Sequence, residues 1–240
     1  MPILPKPEEK KQFVREKFAA ISRRYDLLNS LLSLHIDRYW RWRATRLLAH
    51  RPTGWVLDLC AGTLPLALEL TRQAKSRQVL AVDFCEDMLG AGLKTLHRDG
   101  RLPRIHPVCG DGERLPVATN TCLGCTIAFG IRNLGSAEKG LAEMQRILAP
   151  GGRLVILEFS RPGNPLVRPL YHFYLNKFLP AVGGLISGDR QAYQYLAESI
   201  AAFYAPETLM RMMREAGFSG VRRVPLTWGI ASLYIGDKGV

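Results

Sequence analysis

Trp55-Val-Leu-Asp-Leu-Cys-Ala-Gly-Thr-Leu-Pro65 is an apolar strand that carries an acid and ends in a turn of small residues. A helical pattern follows, and the order strand, turn, helix is typical of the start of a nucleotide-binding α/β domain. Gly62 lets a ligand approach the backbone closely, and the first N–H groups of the next helix favour a negatively charged group. The stretch predicts a doubly wound sheet with a ligand cleft at the end of this strand.

Two more acids follow the next two predicted strands. Asp83 closes the apolar strand Val79-Leu-Ala-Val-Asp83, about 20 residues after the turn, where an acid holds ribose hydroxyls in nucleotide-binding domains. Asp111 follows a short strand over residues 104–109, in which Pro107 cannot donate a backbone hydrogen bond. We therefore expect the third strand at an edge of the sheet and both acids at the cleft.

The composition predicts one compact domain. The chain has 240 residues, 47% of them hydrophobic, which is enough for a full α/β core. The net charge of +12 arises from 33 basic and 21 acidic residues, and it fits an anionic membrane surface, nucleic acid or solubility alone. Because no apolar run could span a bilayer and residues 1–7 lack a signal-peptide core, we expect a cytoplasmic protein that can lie at a membrane surface.

The cysteines predict neither a disulfide framework nor a metal site. There are five of them, an odd number, spread over separate predicted elements. Cys122-x-x-Cys125 has the spacing of a metal or redox pair, but no second pair or histidine cluster completes it. We interpret it as part of a buried, nearly all-apolar strand over residues 122–129.

Residues 1–50 form a predicted helical cover that belongs to the same domain as residues 51–240. Asp37 is an N-cap residue type, so we expect it to cap a second helix that carries Trp40. In one interpretation the cover has only a structural role and packs on the domain. In the other interpretation the cover is a lid that contacts a membrane or a hydrophobic substrate through its basic residues, which include Arg38, Arg41, Arg43 and Arg46.

Residues 160–199 form an insertion rich in Tyr, Phe, Leu and Pro. It contains more aromatic rings than a plain connection needs. Two interpretations stay open. The insertion forms one side of a binding site for a large apolar ligand, or it is an ordinary helical segment that packs on the sheet. Near the C-terminus, two short strands joined through Trp228-Gly229 predict a hairpin.

The turn favours S-adenosylmethionine over a dinucleotide. A dinucleotide fold expects Gly-x-Gly-x-x-Gly, and this chain supplies only Gly62 from that set. A cofactor with one nucleoside and no pyrophosphate needs fewer glycines. We expect Asp83 on the ribose, Asp111 near the adenine amine, and the turn around the methionyl end, in an acidic cleft that suits a positive sulfonium.

Several separated motifs resemble the ubiquinone/menaquinone biosynthesis C-methyltransferases, and the resemblance covers nearly the whole chain. The motifs are Tyr25-Asp-Leu-Leu-Asn29, Phe129-Gly-Ile-Arg-Asn133, residues 146–160 with the Pro-Gly-Gly turn, and Gly188-Asp-Arg-Gln-Ala-Tyr-Gln-Tyr-Leu-Ala-Glu-Ser-Ile200. The resemblance implies a class I methyltransferase fold, which is a Rossmann-like, doubly wound, mostly parallel sheet with a C-terminal antiparallel hairpin. It also implies methyl transfer from S-adenosylmethionine to a ring carbon of a prenylated quinol.

The same resemblance assigns the site. Arg132 and Asn133, directly after the fourth strand, are the expected catalytic residues that orient or help to deprotonate the acceptor hydroxyl, and Tyr25 matches a position facing the same pocket. For Arg132 the alternative is an ordinary surface cation. The expected partners are the prenylated quinol, a peripheral membrane surface and a second copy of the chain in a homo-oligomer. Neither a metal ion nor a nucleic acid is expected. The expected cofactor residues are Asp58, Gly62, Thr63, Asp83, Phe84, Asp111 and Gly112.

Two departures from the family pattern bear on activity. The family turn continues Gly-Thr-Gly-Asp, whereas Leu64 and Pro65 follow Thr63 here. Leucine resists a positive φ, and proline has no carboxylate for the cofactor's ammonium, so we expect weak cofactor binding. The histidine expected three residues before Trp40 is Asp37. Three readings follow: a quinol C-methyltransferase, a relative that methylates another aromatic or lipid-like acceptor, and a non-catalytic binding module.

Overall fold

The computed structural model describes residues 4–6, 9–21, 30, 33–49, 54–73, 77–99, 104–181, 184 and 190–240. Helices and strands alternate along most of this chain. The helices are α1 Lys10–Ile21, α2 Ile36–Arg46, α3 Pro65–Gln73, α4 Glu86–Asp99, α5 Ala137–Ile147, α6 Val167–Phe173, α7 Arg190–Ala202 and α8 Pro206–Glu215. The strands are β1 Trp55–Leu59, β2 Gln78–Asp83, β3 Ile105–Cys109, β4 Cys122–Ala128, β5 Leu148–Phe159, β6 Phe218–Leu226 and β7 Ala231–Lys238.

The seven strands form one mixed sheet in the order β3-β2-β1-β4-β5-β7-β6. The first five pair in parallel, and β7 runs antiparallel between β5 and β6. This confirms the predicted doubly wound sheet with a C-terminal hairpin. Pro107 lies in β3 at the edge, as predicted, opposite Ala81. β5 begins at Leu148 and includes the Pro-Gly-Gly turn at residues 150–152.

Alternating side chains of the strands feed two hydrophobic cores, one on each face of the sheet. In β1, Val56 joins the core beneath α2 and α3, whereas Leu57 joins the core beneath α5 and α8. This is the burial pattern expected of a strand covered on both faces. Cys122 and Cys125 are buried in β4, which confirms that this pair belongs to an apolar strand.

The sheet also fixes where a ligand can bind. β1 pairs with β2 on one side and with β4 on the other, so the strand order reverses between β1 and β4. In doubly wound sheets the ligand crevice opens at the carboxyl ends of the strands at this reversal. The loops after Leu59, Asp83 and Ala128 therefore surround the expected cleft.

The start of α2 differs from the prediction. His35, with a φ of 61°, occupies the N-cap position, and Asp37 lies inside the helix, so the prediction of Asp37 as the cap is wrong. The reason is that Ser33 and Arg41 already bind the Asp37 carboxylate. α1 and α2 contact the remainder of the chain through α4, α3 and β5. The division into a cover over residues 1–50 and a domain over 51–240 stays a prediction.

The insertion after β5 folds into helices with a small core of its own. α6 continues as a π-helical turn, Tyr174–Phe178, and its inner side packs on α7. Its outer side is exposed at Leu166, Leu170 and Phe173. The rings of the insertion are therefore divided between a packed inner face and a solvent-facing one.

Candidate active site

The turn after β1 has an unusual backbone. Cys60, Gly62 and Leu64 all have positive φ angles, of 53°, 55° and 71°. A left-handed conformation costs a residue with a side chain roughly 1–2 kcal/mol. Leu64 is fully buried. Gly92 of α4 packs against it so closely that a Cβ added to Gly92 would lie 2.8 Å from the Leu64 Cγ. Burial of the leucine side chain thus holds a conformation that the residue type disfavours.

Asp83 fastens this turn to the end of β2. Its Oδ2 accepts the Gly62 N–H at 2.8 Å, and its Oδ1 accepts the Cys85 N–H at 2.9 Å. Burial raises the pKa of Asp83, and the hydrogen bonds from the two backbone N–H groups oppose this shift. Each carboxylate oxygen still has a second lone pair, so Asp83 can accept hydroxyl hydrogen bonds from a ligand.

Two adjoining cavities at the ends of β1, β2 and β4 form what we call the nucleoside cleft. The cavities share Cys60, Asp83, Phe84 and Asn133. Five of the predicted cofactor residues line the cleft: Gly62, Asp83, Phe84, Asp111 and Gly112. Asn133, which was expected at the acceptor, also lines the cleft.

A lysine from the N-terminal helix reaches the far end of the nucleoside cleft. Lys11 Nζ lies 2.8 Å from Asp111 Oδ2 and 3.1 Å from Glu113 Oε2. Burial raises the pKa of Asp111, but the hydrogen bond and charge of Lys11 outweigh burial, so that the pKa is lowered. Asp111 is therefore a carboxylate that is already paired.

Asp58 and Thr63 lie apart from the cleft lining. The Asp58 side chain is 1% exposed, and its Oδ1 accepts a hydrogen bond from Thr126 Oγ1 at 3.1 Å. Burial raises the pKa of Asp58 to about 7. Thr63 is also buried. Their assignment as cofactor residues stays a prediction, and any contact with a ligand would have to come through the backbone.

A second space, which we call the aromatic pocket, opens beside the nucleoside cleft. It measures about 740 Å³ when the part open to solvent is included. Phe18 and Phe129 line both spaces. Phe129 therefore marks the junction at which a ligand in the cleft and a ligand in the pocket would meet. The pocket is lined by Lys17, Phe18, Ser33, Asp37, Trp40, Arg41, Phe129, Arg132, Phe159, Ala192, Tyr193, Tyr195 and Leu196.

Phe129 is held at the junction by its neighbours in the chain. It has a φ of 57°, and its ring packs on Phe159 with the centroids 4.4 Å apart. At the next residue, Gly130, a Cβ would lie 2.4 Å from the Cβ of Cys60. Only glycine at this position allows the loop after β4 to press on the loop after β1, which brings cleft and pocket together.

Arg132 is not a surface cation, which was the alternative interpretation. It is 6% exposed, and its Nη1 lies 2.7 Å from Oε1 of Glu158, which is fully buried. Burial raises the pKa of Glu158, and the charge of Arg132 opposes this shift. Among the described residues, the Arg132 Nε and the Glu158 Oε2 have no hydrogen-bond partner. A guanidinium remains protonated, so Arg132 can stabilise negative charge but cannot accept a proton.

A second ion pair lines the pocket from helix α2. Asp37 accepts a hydrogen bond from Arg41, and Ser33 Oγ donates to its Oδ1 at 2.8 Å. Arg41 was predicted as one of four basic residues of a lid. It is 9% exposed, and its guanidinium lies 5.9 Å from the Phe129 ring centroid. The four-residue spacing of Asp37 and Arg41 on a helix is the signal that could have revealed this pair.

Two of the three expected catalytic residues can be placed. Arg132 lines the aromatic pocket, and Asn133 accepts a hydrogen bond on its Oδ1 from the Tyr195 hydroxyl at 3.1 Å. Tyr25 lies outside the described residues. Glu158, Asp37, Trp40 and Phe159 are functional candidates to which the sequence analysis gave no role in the site, since α2 and β5 are far apart in the sequence.

The described part of the chain carries no cluster of three or more His, Cys, Asp or Glu residues able to hold a metal ion. Among the same residues, no helix combines the length and the apolar character that a membrane span requires.

Solved structures of S-adenosylmethionine-dependent methyltransferases share this fold. One from Thermotoga maritima has a TM-score of 0.66 at 20% identity, covering 93% of this chain and 98% of that one. One from Methanococcus maripaludis has a TM-score of 0.63 at 18% identity, covering 94% of both chains. At these identities the similarity concerns the fold, and it confirms the class I methyltransferase architecture.

Sequence similarity identifies the family. The chain matches the ubiE/COQ5 methyltransferase family over residues 6–238. The ubiquinone/menaquinone biosynthesis C-methyltransferase UbiE of Syntrophotalea carbinolica is 45% identical over 230 residues, which are 95% of each chain. The demethylmenaquinone methyltransferase of Deinococcus radiodurans is 44% identical, over 96% of this chain and 95% of the relative. The chain belongs to the ubiE/COQ5 methyltransferase family and is an S-adenosylmethionine-dependent methyltransferase.

Proposed function

We propose that this chain transfers a methyl group from S-adenosylmethionine to a ring carbon of a prenylated quinol. The observation that carries the proposal is the junction at Phe129, where the nucleoside cleft meets the aromatic pocket. Relatives with 44–45% identity are named for ubiquinone/menaquinone biosynthesis and for demethylmenaquinone, which supports a quinol acceptor. The precursors of ubiquinone, menaquinone and phylloquinone all place the acceptor carbon beside a phenolic oxygen.

The residues of the nucleoside cleft fit this cofactor. Asp83 and Asp111 supply carboxylates for the ribose hydroxyls and the adenine amine, and they suit a ligand with a positive sulfonium. Phe84 and Gly112 complete the nucleoside side, while the turn at Gly62 and Thr63 meets the methionyl end. The bound cofactor supplies an electrophilic methyl group.

In this proposal Arg132 acts on the acceptor in the aromatic pocket, and Asn133 lies on the cleft side of the junction. The reacting carbon becomes nucleophilic when the hydroxyl beside it loses its proton, which leaves negative charge on the oxygen. Arg132, buried against Glu158, offers a fixed positive charge to that oxygen in a site with little water. Asn133, held by Tyr195, orients groups at the border between the two spaces.

The proton acceptor in this proposal is Asp37. A guanidinium cannot take a proton, and Glu158 is buried behind Arg132 instead of lining the pocket. Among the described residues that line the aromatic pocket, Asp37 is the single carboxylate. Asp37 takes the phenolic proton, and the bound cofactor would supply the methyl group to the ring carbon and remain as the neutral thioether. The proton displaced from that carbon passes to water, and Asp37 returns its proton to the phenolic oxygen.

The turn favours one alternative. Leu64 and Pro65 leave the cofactor's ammonium without the carboxylate that the family places there, as expected for a non-catalytic relative that keeps the fold as a binding module. A diverged enzyme for another aromatic or lipid-like acceptor would keep Asp37 and Arg132 in use. Both alternatives predict that quinols are not methylated.

We propose further that the protein is cytoplasmic and binds peripherally to a membrane, because a prenylated quinol resides in the bilayer. The outward side of α2 carries exposed Tyr39 and Trp42, with Arg43 and Arg46 lying 6.0 and 5.5 Å from their ring centroids. Amphipathic rings next to cations suit the membrane interface. Replacing Arg38, Arg43 and Arg46 together by glutamine should weaken co-sedimentation with anionic vesicles at low salt, while equal recovery with neutral vesicles would contradict an electrostatic attraction.

The central experiment combines two measurements on the same protein. Calorimetric titration with S-adenosylmethionine should show weak binding, and incubation with a reduced demethylated naphthoquinol should yield product methylated on carbon. Cofactor binding without methylation of any quinol would favour the diverged or non-catalytic readings. Absence of cofactor binding would overturn the proposal.

A further inference from the structure

A second cavity continues from the aromatic pocket away from the nucleoside cleft. The two share part of their walls, namely Ser33, Trp40, Phe159, Tyr193 and Leu196. The shared residues come from α2, the segment before it, β5 and α7, so the two cavities adjoin, and we treat them as two ends of one space. The remaining lining residues of the second cavity are Leu34, Ile36, Tyr174, Leu175, Leu179, Ile200, Thr227 and Ile230.

The two ends differ in chemistry. The aromatic pocket contains the ion pairs of Arg132 and Asp37, whereas the described residues that line the second cavity include no charged one. The Thr227 hydroxyl there already accepts the indole N–H of Trp40 at 2.8 Å. A ligand in this space would therefore be hydrocarbon, because a polar group would lose its hydrogen bonds to water and find few in exchange.

Exposed apolar side chains lie in the lining of the second cavity and next to it along the chain. Leu34 lines the cavity and is 78% exposed. Trp228, which is 75% exposed, follows the lining residue Thr227, and the exposed Phe178 precedes the lining residue Leu179. Exposed apolar side chains beside an apolar cavity are typical of a place where a hydrophobic ligand or surface meets the protein.

We propose that the second cavity is the channel for the isoprenoid chain of the acceptor, with the polar ring in the aromatic pocket and the chain leaving past Leu34. The inference rests on the proposed quinol acceptor. It adds where the isoprenoid chain of that acceptor binds and which residues select its length. The branched hydrocarbon chain matches the uncharged walls, and the hydroxylated ring matches the two ion pairs. Recognition of the substrate is therefore divided between the two ends of one space.

The test is a change in chain-length preference. Two reduced demethylnaphthoquinols, one with a single isoprene unit and one with a long polyprenyl chain, are compared by the ratio of their kcat/KM values. Ile230→Trp fills the channel at a half-buried position and should lower the ratio of long-chain to short-chain activity about tenfold or more. Leu170→Trp adds the same ring on the exposed side of α6, outside the channel, and should leave the ratio unchanged.

The outcomes separate this inference from the proposed function. An unchanged ratio in Ile230→Trp, with normal cofactor binding and melting, would overturn the channel. If Ile230→Trp fails to fold, Ile200→Phe, which narrows the same cavity from α7, replaces it. If the parent methylates neither quinol, the proposed function fails, and quenching of tryptophan fluorescence by the oxidised quinones then decides the channel alone. Equal affinity of the parent for the two chain lengths would overturn the channel.

Discussion

The nucleoside cleft and the aromatic pocket meet at Phe129, yet the two are built in different ways. Gly62, Asp83 and Asp111 follow or end successive strands of the parallel sheet, so the topology of the sheet alone places them at the cleft. The pocket instead gathers side chains from α1, α2 and the segment before it, α7, the loop after β4 and the last residue of β5. The comparison teaches that the fold determines where the cofactor goes, while the elements packed over the fold determine the acceptor.

The largest expected effect lies at the floor of the pocket. Glu158→Leu would leave the Arg132 guanidinium buried without its partner, and loss of one member of a buried pair costs about 3–5 kcal/mol. Urea denaturation should show this loss of unfolding free energy. The matched double variant Arg132→Met with Glu158→Leu should recover most of it and still bind the cofactor. If the single and double variants have equally low free energies of unfolding, the loss does not come from breaking the ion pair of Arg132 with Glu158.

The sequence predicted the cleft better than the pocket for a physical reason. Strand periodicity, glycines and acids at strand ends are local signals, so the cleft positions of Asp83 and Asp111 could be read along the chain. The pair of Asp37 with Arg41 depends on how α2 lies on the sheet, and Asp37 was therefore taken for a helix cap. Arg132 was found through a family motif, but its burial against Glu158 depends on the loop after β4, which no local pattern describes.

The next largest effect should be a pH dependence of stability that arises from Asp58, which is buried in β1 beside the nucleoside cleft. Burial raises the pKa of Asp58 to about 7, so between about pH 4 and pH 7 the folded protein keeps a proton that the unfolded chain has lost. The free energy of unfolding should therefore fall as the pH rises through this window, by up to about 4 kcal/mol. Asp58→Asn should flatten the profile, as measured by urea denaturation at several pH values. A profile as steep as that of the parent would assign the pH dependence to other groups.

In the pocket, Asp37→Asn should separate chemistry from cofactor binding. The asparagine keeps the shape and the hydrogen bond from Ser33 but cannot take the phenolic proton, so kcat should fall about a hundredfold or more. Since Asp37 lies outside the nucleoside cleft, calorimetry should give an unchanged affinity for S-adenosylmethionine. Activity should recover as alkaline pH ionises the phenol in solution, whereas a merely structural role for Asp37 would show no such recovery.

In the cleft, Pro65→Asp should strengthen cofactor binding. Pro65 begins α3, where an acid also complements the helix dipole, and the added carboxylate offers the cofactor's ammonium a charge-assisted hydrogen bond worth about 1.5–3 kcal/mol. Calorimetry should show affinity about tenfold to a hundredfold higher, with Pro65→Asn as the uncharged control. Leu64 is left in place because it is fully buried in the core. Equal affinities of the two variants would show that the ammonium does not reach this turn.

The smallest effect should come from the lysine that reaches Asp111. Lys11 and Asp111 are 43% and 46% exposed, so their pairing is worth about 1 kcal/mol at most. Because Lys11 competes with the adenine amine for the carboxylate, Lys11→Met should raise affinity for S-adenosylmethionine by about fivefold or less at low salt, and added salt should raise the affinity of the parent toward that of the variant. Lys17→Met removes the same charge from α1 at the aromatic pocket, and it should leave cofactor affinity unchanged. If both variants gain the same affinity for S-adenosylmethionine, the gain comes from the lower net charge of the protein. The contact between Lys11 of α1 and Asp111 would then have no effect on cofactor binding.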